Sequence, residues 1–126
     1  MGHSSETAWD GNLLSMDDVP LLTNGAKLPF VSSMTCWTGW YADPYGETLG
    51  ESLLKTPQGG AIAVWASSGM TESAGQQTMD AAFMQLLFAA KKPTIGQAVA
   101  AAKAATSDLD VRRTWILLGD PTTRLQ

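Results

Sequence analysis

The run AIAVWAS at positions 61 to 67, opened by Gly59-Gly60, constrains this chain more than any other segment. It is apolar without alternation and has the length of a strand, so a strand there must be buried on both faces. Such a strand needs a neighbour on each side and a layer above and below. Two further segments are suited to pair with it. Leu28 to Cys36 (LPFVSSMTC) follows the turn signal Asn24-Gly25, and Thr114 to Leu118 (TWILL) is closed by Gly119-Asp120-Pro121. Asp120 is expected to cap that closing turn.

Helical patterns alternate with these strands. Glu47 to Thr56 reads as a short helix ended by Pro57. Ser67 to Gln77, rich in Ser, Gly and Gln, reads as a loop. Met79, Ala82, Phe83, Leu86, Leu87 and Ala90 then recur at helical spacing, with Met84 out of phase. Lys91-Lys92 favour the negative end of that helix, and Pro93 stops it. Thr94 to Ala105 follows as a second helix, with Thr94 and Gln97 in the capping-box pattern. The first 27 residues are loop-like, with one short helical turn expected from Ser15 onward. The alternation implies an α/β fold with a mostly parallel sheet covered on both faces. One domain accounts for 126 residues. Three strands leave two open sheet edges, so this chain is expected to be the C-terminal part of a larger domain.

Charge and rare residues narrow the chemistry. The net charge is −4 with no basic run, which argues against a nucleic-acid surface. No apolar stretch reaches the length of a bilayer span. One cysteine, Cys36, leaves no internal disulfide and no cysteine-based zinc site. One histidine, His3, leaves no multi-histidine metal centre. No nucleophile elbow, phosphate loop or EF-hand spacing is present. A thiol at the carboxyl end of a strand lies where open α/β sheets bind ligands, and His3 is the one side chain suited by default to act as its base. Taken alone, the same residues also fit a small buried thiol and an exposed histidine in a frayed start.

The segments GHSS at 2 to 5 with Trp9, PFVSSMTCWTG at 29 to 39, GESLL at 50 to 54, GGAIAVWASSGMT at 59 to 71 and LLGDP at 117 to 121 occur in one order. Together they resemble the catalytic subdomain of the gingipain-like cysteine peptidases of the caspase clan, over nearly the whole chain. His3 and Cys36 lie 33 positions apart, which is also similar to that family. The resemblance implies a three-layer α/β/α caspase-like fold and an endopeptidase that needs no metal or organic cofactor. Cys36 would be the nucleophile and His3 the general acid and base. The backbone N–H groups of Cys36 and Ser4 would hold the oxyanion, although the family carries glycine where this chain has Ser4. Substrate contacts would come from Trp37, Trp9 and the loop bearing Ser67, Ser68, Met70 and Glu72. Trp9 would cover His3. Glu72 would either favour a basic side chain by its charge or, as the residues alone suggest, serve as an acidic residue near the start of the 79-to-90 helix. The partners implied are a protein or peptide substrate and the upstream half of the same catalytic domain. The location implied is the bacterial cell surface or exterior. The competing reading is a caspase-like scaffold or interaction module that has lost activity, for which Ser4 in place of glycine and the expected absence of the upstream half are the arguments.

Overall fold

The structure, a computed structural model, describes residues 2–89 and 92–125. Among these residues a three-stranded sheet has the order β1-β2-β3, with β1 at Phe30–Ser33, β2 at Ala63–Ser67 and β3 at Trp115–Gly119. All five residues of β2 are buried, as the apolar run requires. Side chains alternate across it. Ala63 and Trp65 join one core with α2 (Ser73–Leu87), α3 (Ile95–Ala105) and α4 (Leu109–Thr114), through Met79, Phe83, Ile95 and Val111. Val64 and Ala66 face a second core with α1 (Leu49–Lys55) and the N-terminal segment, through Leu49, Leu53 and Val19. The sheet is thus the middle of three layers.

Local chemistry accounts for the helix boundaries. Thr48 and Glu51 form a reciprocal capping box at the start of α1, and Lys55 pairs with Glu47 at 2.9 Å near its end. Thr94 and Gln97 form the second box, as their spacing predicts. Asp120 caps the turn after β3 by accepting from Thr122 N–H at 2.8 Å. The turn expected from Ser15 is present. The Asp18 carboxylate accepts from the Ser15 N–H and hydroxyl, which holds the Asp18 pKa below the usual carboxylate range. The 3-10 turn itself falls one step later, at Val19–Leu21, with Pro20 near its start.

Four features differ from the sequence expectations. β1 ends at Ser33, so Cys36 lies in the following turn and not on the strand. Thr35 N–H bonds back to the Ser33 carbonyl at 2.8 Å and lifts the chain off the ladder. The loop expected over 67 to 77 ends early, because α2 starts at Ser73. Gly75 lies so close to Asp108 that a Cβ would sit 2.4 Å from its carboxylate, and Gln76 bonds to Thr71. Packing there overrides the weak helix propensity of Ser-Ala-Gly. The six-residue helix α4 follows Asp108, whose side chain caps it, and Thr114 belongs to α4 rather than β3. Lastly, β1 and β2 are parallel but β2 and β3 are antiparallel. A single helix after β2 would return the chain to the start of the sheet. Here α2 and α3 pack as a pair, so the chain comes back to the end it left and enters β3 opposite Ser67. The Lys103 ammonium donates to the Trp115 carbonyl at 2.6 Å and marks that junction. Ala90 and Lys91 lie outside the described residues.

Asp80 on α2 has a buried carboxylate oxygen with no hydrogen-bond partner among the described residues. Desolvation raises its pKa. The folded chain therefore holds this proton more tightly than the unfolded chain does. The associated stability is present below the ordinary Asp range and is lost as pH rises through the raised folded value. Asp80→Asn should melt higher than the parent at pH 7, and the difference should close below about pH 4. Thermal scans at both pH values check this.

Candidate active site

The candidate nucleophile stands on a three-residue turn. Thr38 N–H donates to the Cys36 carbonyl at 2.8 Å, and Trp37 between them has φ +64°. A left-handed tryptophan is strained, and it persists only where its surroundings fix it. Here they do. Trp37 packs edge-on against Trp40 with ring centroids 5.3 Å apart. Gly39 N–H donates to the Ser67 carbonyl at 3.0 Å. Gly50 N–H, in the first turn of α1, donates to the Thr38 carbonyl at 3.0 Å. A Cβ on Gly50 would sit 2.7 Å from that carbonyl, so only glycine lets the helix approach the turn this closely.

Beneath the turn lies a buried hydroxyl cluster. Ser33 Oγ is 2.9 Å from both Thr35 Oγ1 and Thr38 Oγ1. The Trp9 indole N–H donates to the same Ser33 oxygen at 3.0 Å. Trp9 also forms an antiparallel bridge with Ser4. The segment carrying His3 is therefore tied to the segment carrying Cys36 by way of Ser33. Two more ties run between them: Gly2 N–H donates to the Met34 carbonyl at 3.3 Å, and the Ser4 hydroxyl donates to the Cys36 carbonyl.

His3 and Cys36 line one cleft of about 480 Å³. Met70 and Glu72 line it too, with Thr71 and Gln76 beside them. The Cys36 thiol donates to the Thr71 carbonyl at 3.8 Å, so it rests against the loop after β2. Asp108 and Asp110 complete one wall. The sequence reading missed both. Their signal was a Ser-Asp pair followed by an acid-to-base charge gradient, and it becomes legible once α4 is recognised. Among the described residues, three carboxylates and no lysine or arginine line the cleft, so these side chains make its potential negative.

Other candidates fall elsewhere. Ser67 is buried, and its hydroxyl donates to the Gly69 carbonyl at 2.8 Å. The Ser68 hydroxyl donates to the Thr114 carbonyl at 2.8 Å. Trp37 and Trp9 are not in the cleft lining. Trp9 shares with His3 a second groove, of about 460 Å³. Among the described residues no group of three or more His, Cys, Asp or Glu side chains is placed to hold a metal ion. No helix among them is long and apolar enough to cross a membrane.

Backbone donors matter as much as side chains here. Ser4 N–H and Cys36 N–H make no hydrogen bond among the described residues. N–H groups alternate sides along an extended segment. The Gly2 N–H faces Met34, so the Ser4 N–H is directed to the same side, where Cys36 lies. Ser4 does not occupy the left-handed region; among the described non-glycine residues only Asn12 and Trp37 do. The position therefore does not require glycine's conformational freedom.

The sequence model of Peptidase family C25 matches residues 1–126. The fold is similar to that of the Arg-specific cysteine proteinase gingipain R (RgpB), with a TM-score of 0.91 and 25% identity, covering 100% of this chain and 32% of that one. It is also similar to a complex of the pro- and mature domains of RgpB from Porphyromonas gingivalis, with a TM-score of 0.85 and 25% identity, over 100% of this chain and 33% of that one. A third structure, described only as a protease, shares the fold with a TM-score of 0.89 at 18% identity, over 98% of this chain and 34% of that one. The chain thus spans about a third of the length of these structures. No curated protein matches it.

Proposed function

Because the chain belongs to peptidase family C25, we propose that it carries the catalytic dyad of a cysteine endopeptidase, with Cys36 as nucleophile and His3 as general acid and base. The observation that carries this reading is the shared cleft, which brings together the only thiol and the only imidazole in the sequence. The Cys36 thiolate attacks the scissile carbonyl carbon, and the carbonyl π pair moves onto oxygen. That oxyanion accepts from the N–H groups of Cys36 and Ser4. The tetrahedral adduct collapses, the C–N bond breaks, and the leaving amine takes a proton from His3. His3 then removes a proton from water, whose oxygen attacks the thioester and releases the acid and the thiolate. No step needs a metal or an organic cofactor.

One argument for the scaffold reading, the need for glycine's backbone freedom at position 4, does not apply to this geometry. Ser4 keeps its N–H free and needs no left-handed backbone, so its presence does not disable the donor. The substrate is a peptide or protein, and the negative lining favours a lysine or arginine side chain beside the scissile bond. Glu72, Asp108 and Asp110 would attract it, with the exposed Met70 against its aliphatic stem. The upstream half of the catalytic domain is the partner we assign to the open edge of the sheet. Export to the cell surface or beyond is the location that goes with this family reading.

A peptidyl chloromethyl ketone ending in arginine should alkylate Cys36 and add its mass to the peptide containing that residue. Glu72→Gln and Asp110→Asn should each raise KM for an arginine substrate roughly two- to fivefold, and less at high salt. Asp108 is left intact because it caps α4. Label on any other residue, or none, would remove the nucleophile assignment. Unchanged KM in both variants would remove the charge assignment alone.

A further inference from the structure

We propose that the Ser4 hydroxyl is a positioning group that holds the two oxyanion donors in register. The inference rests on the peptidase reading and adds to it a side-chain role for Ser4. Ser4 contributes one backbone donor and Cys36 the other. The Ser4 side chain donates to the carbonyl of Cys36, so a single hydrogen bond links the two donor-bearing residues directly. The same carbonyl accepts from Thr38 N–H at 2.8 Å. Both of its acceptor sites are thereby used, and the peptide plane after Cys36 is fixed from two sides.

Glycine at position 4 could not make this tie. The rest of the hairpin is built to deliver it. Flanking bonds from Ser5 N–H to the Ala8 carbonyl at 2.9 Å and from Asp10 N–H to the His3 carbonyl at 3.0 Å pair Ser4 with Trp9 while leaving Ser4's own N–H unused. The Trp9 indole then anchors the opposite strand of the hairpin on Ser33 at 3.0 Å. With Trp9 held from below, the Ser4 bond sets the remaining freedom of the segment relative to the nucleophile turn. Serine here gives up glycine's flexibility in exchange for a fixed separation of the two N–H groups.

The test separates oxyanion binding from thiol reactivity in the full chain. A peptide aldehyde binds by addition of Sγ to its carbonyl carbon, which places the oxygen on the two N–H donors. Iodoacetamide instead forms a bond from its methylene carbon to the same sulfur and expels iodide into solvent, with no oxyanion formed. Ser4→Ala keeps the N–H and the Cβ but removes the hydroxyl. It should weaken peptide-aldehyde inhibition and lower kcat by roughly tenfold, with KM nearly unchanged. The iodoacetamide rate should stay within about twofold, and Ser4→Thr should restore most of the loss. Equal losses with both reagents, or a loss only in KM, would show a structural role and overturn the proposal. So would unchanged kcat in Ser4→Ala. A parent chain that neither cleaves peptides nor binds the aldehyde would instead overturn the peptidase reading, and this inference with it.

Discussion

Replacing Cys36 with alanine should lower peptide hydrolysis by several orders of magnitude while the chain stays folded. The thiol is half-buried, and its side-chain bond is a weak one to the Thr71 carbonyl at 3.8 Å. Its loss leaves only a small void, and the turn is held by backbone bonds that alanine retains. His3→Ala should cost roughly 10²- to 10⁴-fold, the range for a general acid and base. The double variant should be no worse than Cys36→Ala alone, because two members of one catalytic unit are not additive. Initial rates on an arginine peptide, with thermal melting as the control for folding, decide the matter. Residual activity above about 1% in Cys36→Ala would sink the assignment.

Trp65→Ala should cost about 3–5 kcal/mol, enough to unfold much of a domain of ordinary stability. Trp65 is fully buried at the centre of β2, the strand that pairs with both neighbours. Its ring lies 4.3 Å from that of Phe83 and 5.2 Å from that of Trp115. Truncation therefore opens a cavity where α2, the sheet and the start of β3 meet, and rigid neighbours close it poorly. Trp65→Phe should cost much less. It keeps aromatic contact and removes an indole N–H that has no acceptor among the described residues. Urea unfolding followed by far-UV circular dichroism would rank the three chains. Comparable losses in both variants would mean that the tilted and edge-on contacts of the indole itself, rather than buried aromatic volume, sustain this core.

The contrast between what sequence and structure made legible has a physical origin. The buried strand, the two capping boxes and the apolar stripe of α2 are local patterns, and they were readable because each depends on residues a few positions apart. The start of α2 was not, because Gly75 and Gln76 become helical through contacts with Asp108 and Thr71. The antiparallel entry of β3 was not, because it follows from how many helices separate it from β2. At the site, Cys36 and His3 were candidates by residue type and became a pair through resemblance to a family. The acidic wall stayed hidden because α4 carries Asp108 and Asp110 to Glu72 from more than thirty positions away. The hydroxyls of Ser33, Thr35 and Thr38 looked like ordinary strand and loop residues until folding buried them together.

The hairpin bearing His3 and Ser4 has few bonds to the rest of the chain, and most of its residues are exposed or half-buried. Cys36, by contrast, stands on the turn between β1 and α1, next to the fully buried β2. The two halves of the proposed dyad therefore belong to units of unequal local stability. Opening the hairpin breaks a few hydrogen bonds and uncovers Trp9 and Leu14 at the margin of the second core while the core itself stays closed, so its free energy lies below that of global unfolding. On warming, the segment carrying His3 should detach while the sheet and its helices remain intact. On the peptidase reading proposed above, the chain would then have an interval of temperature in which it is folded but inert, with the upper limit of activity set by the hairpin rather than by the core.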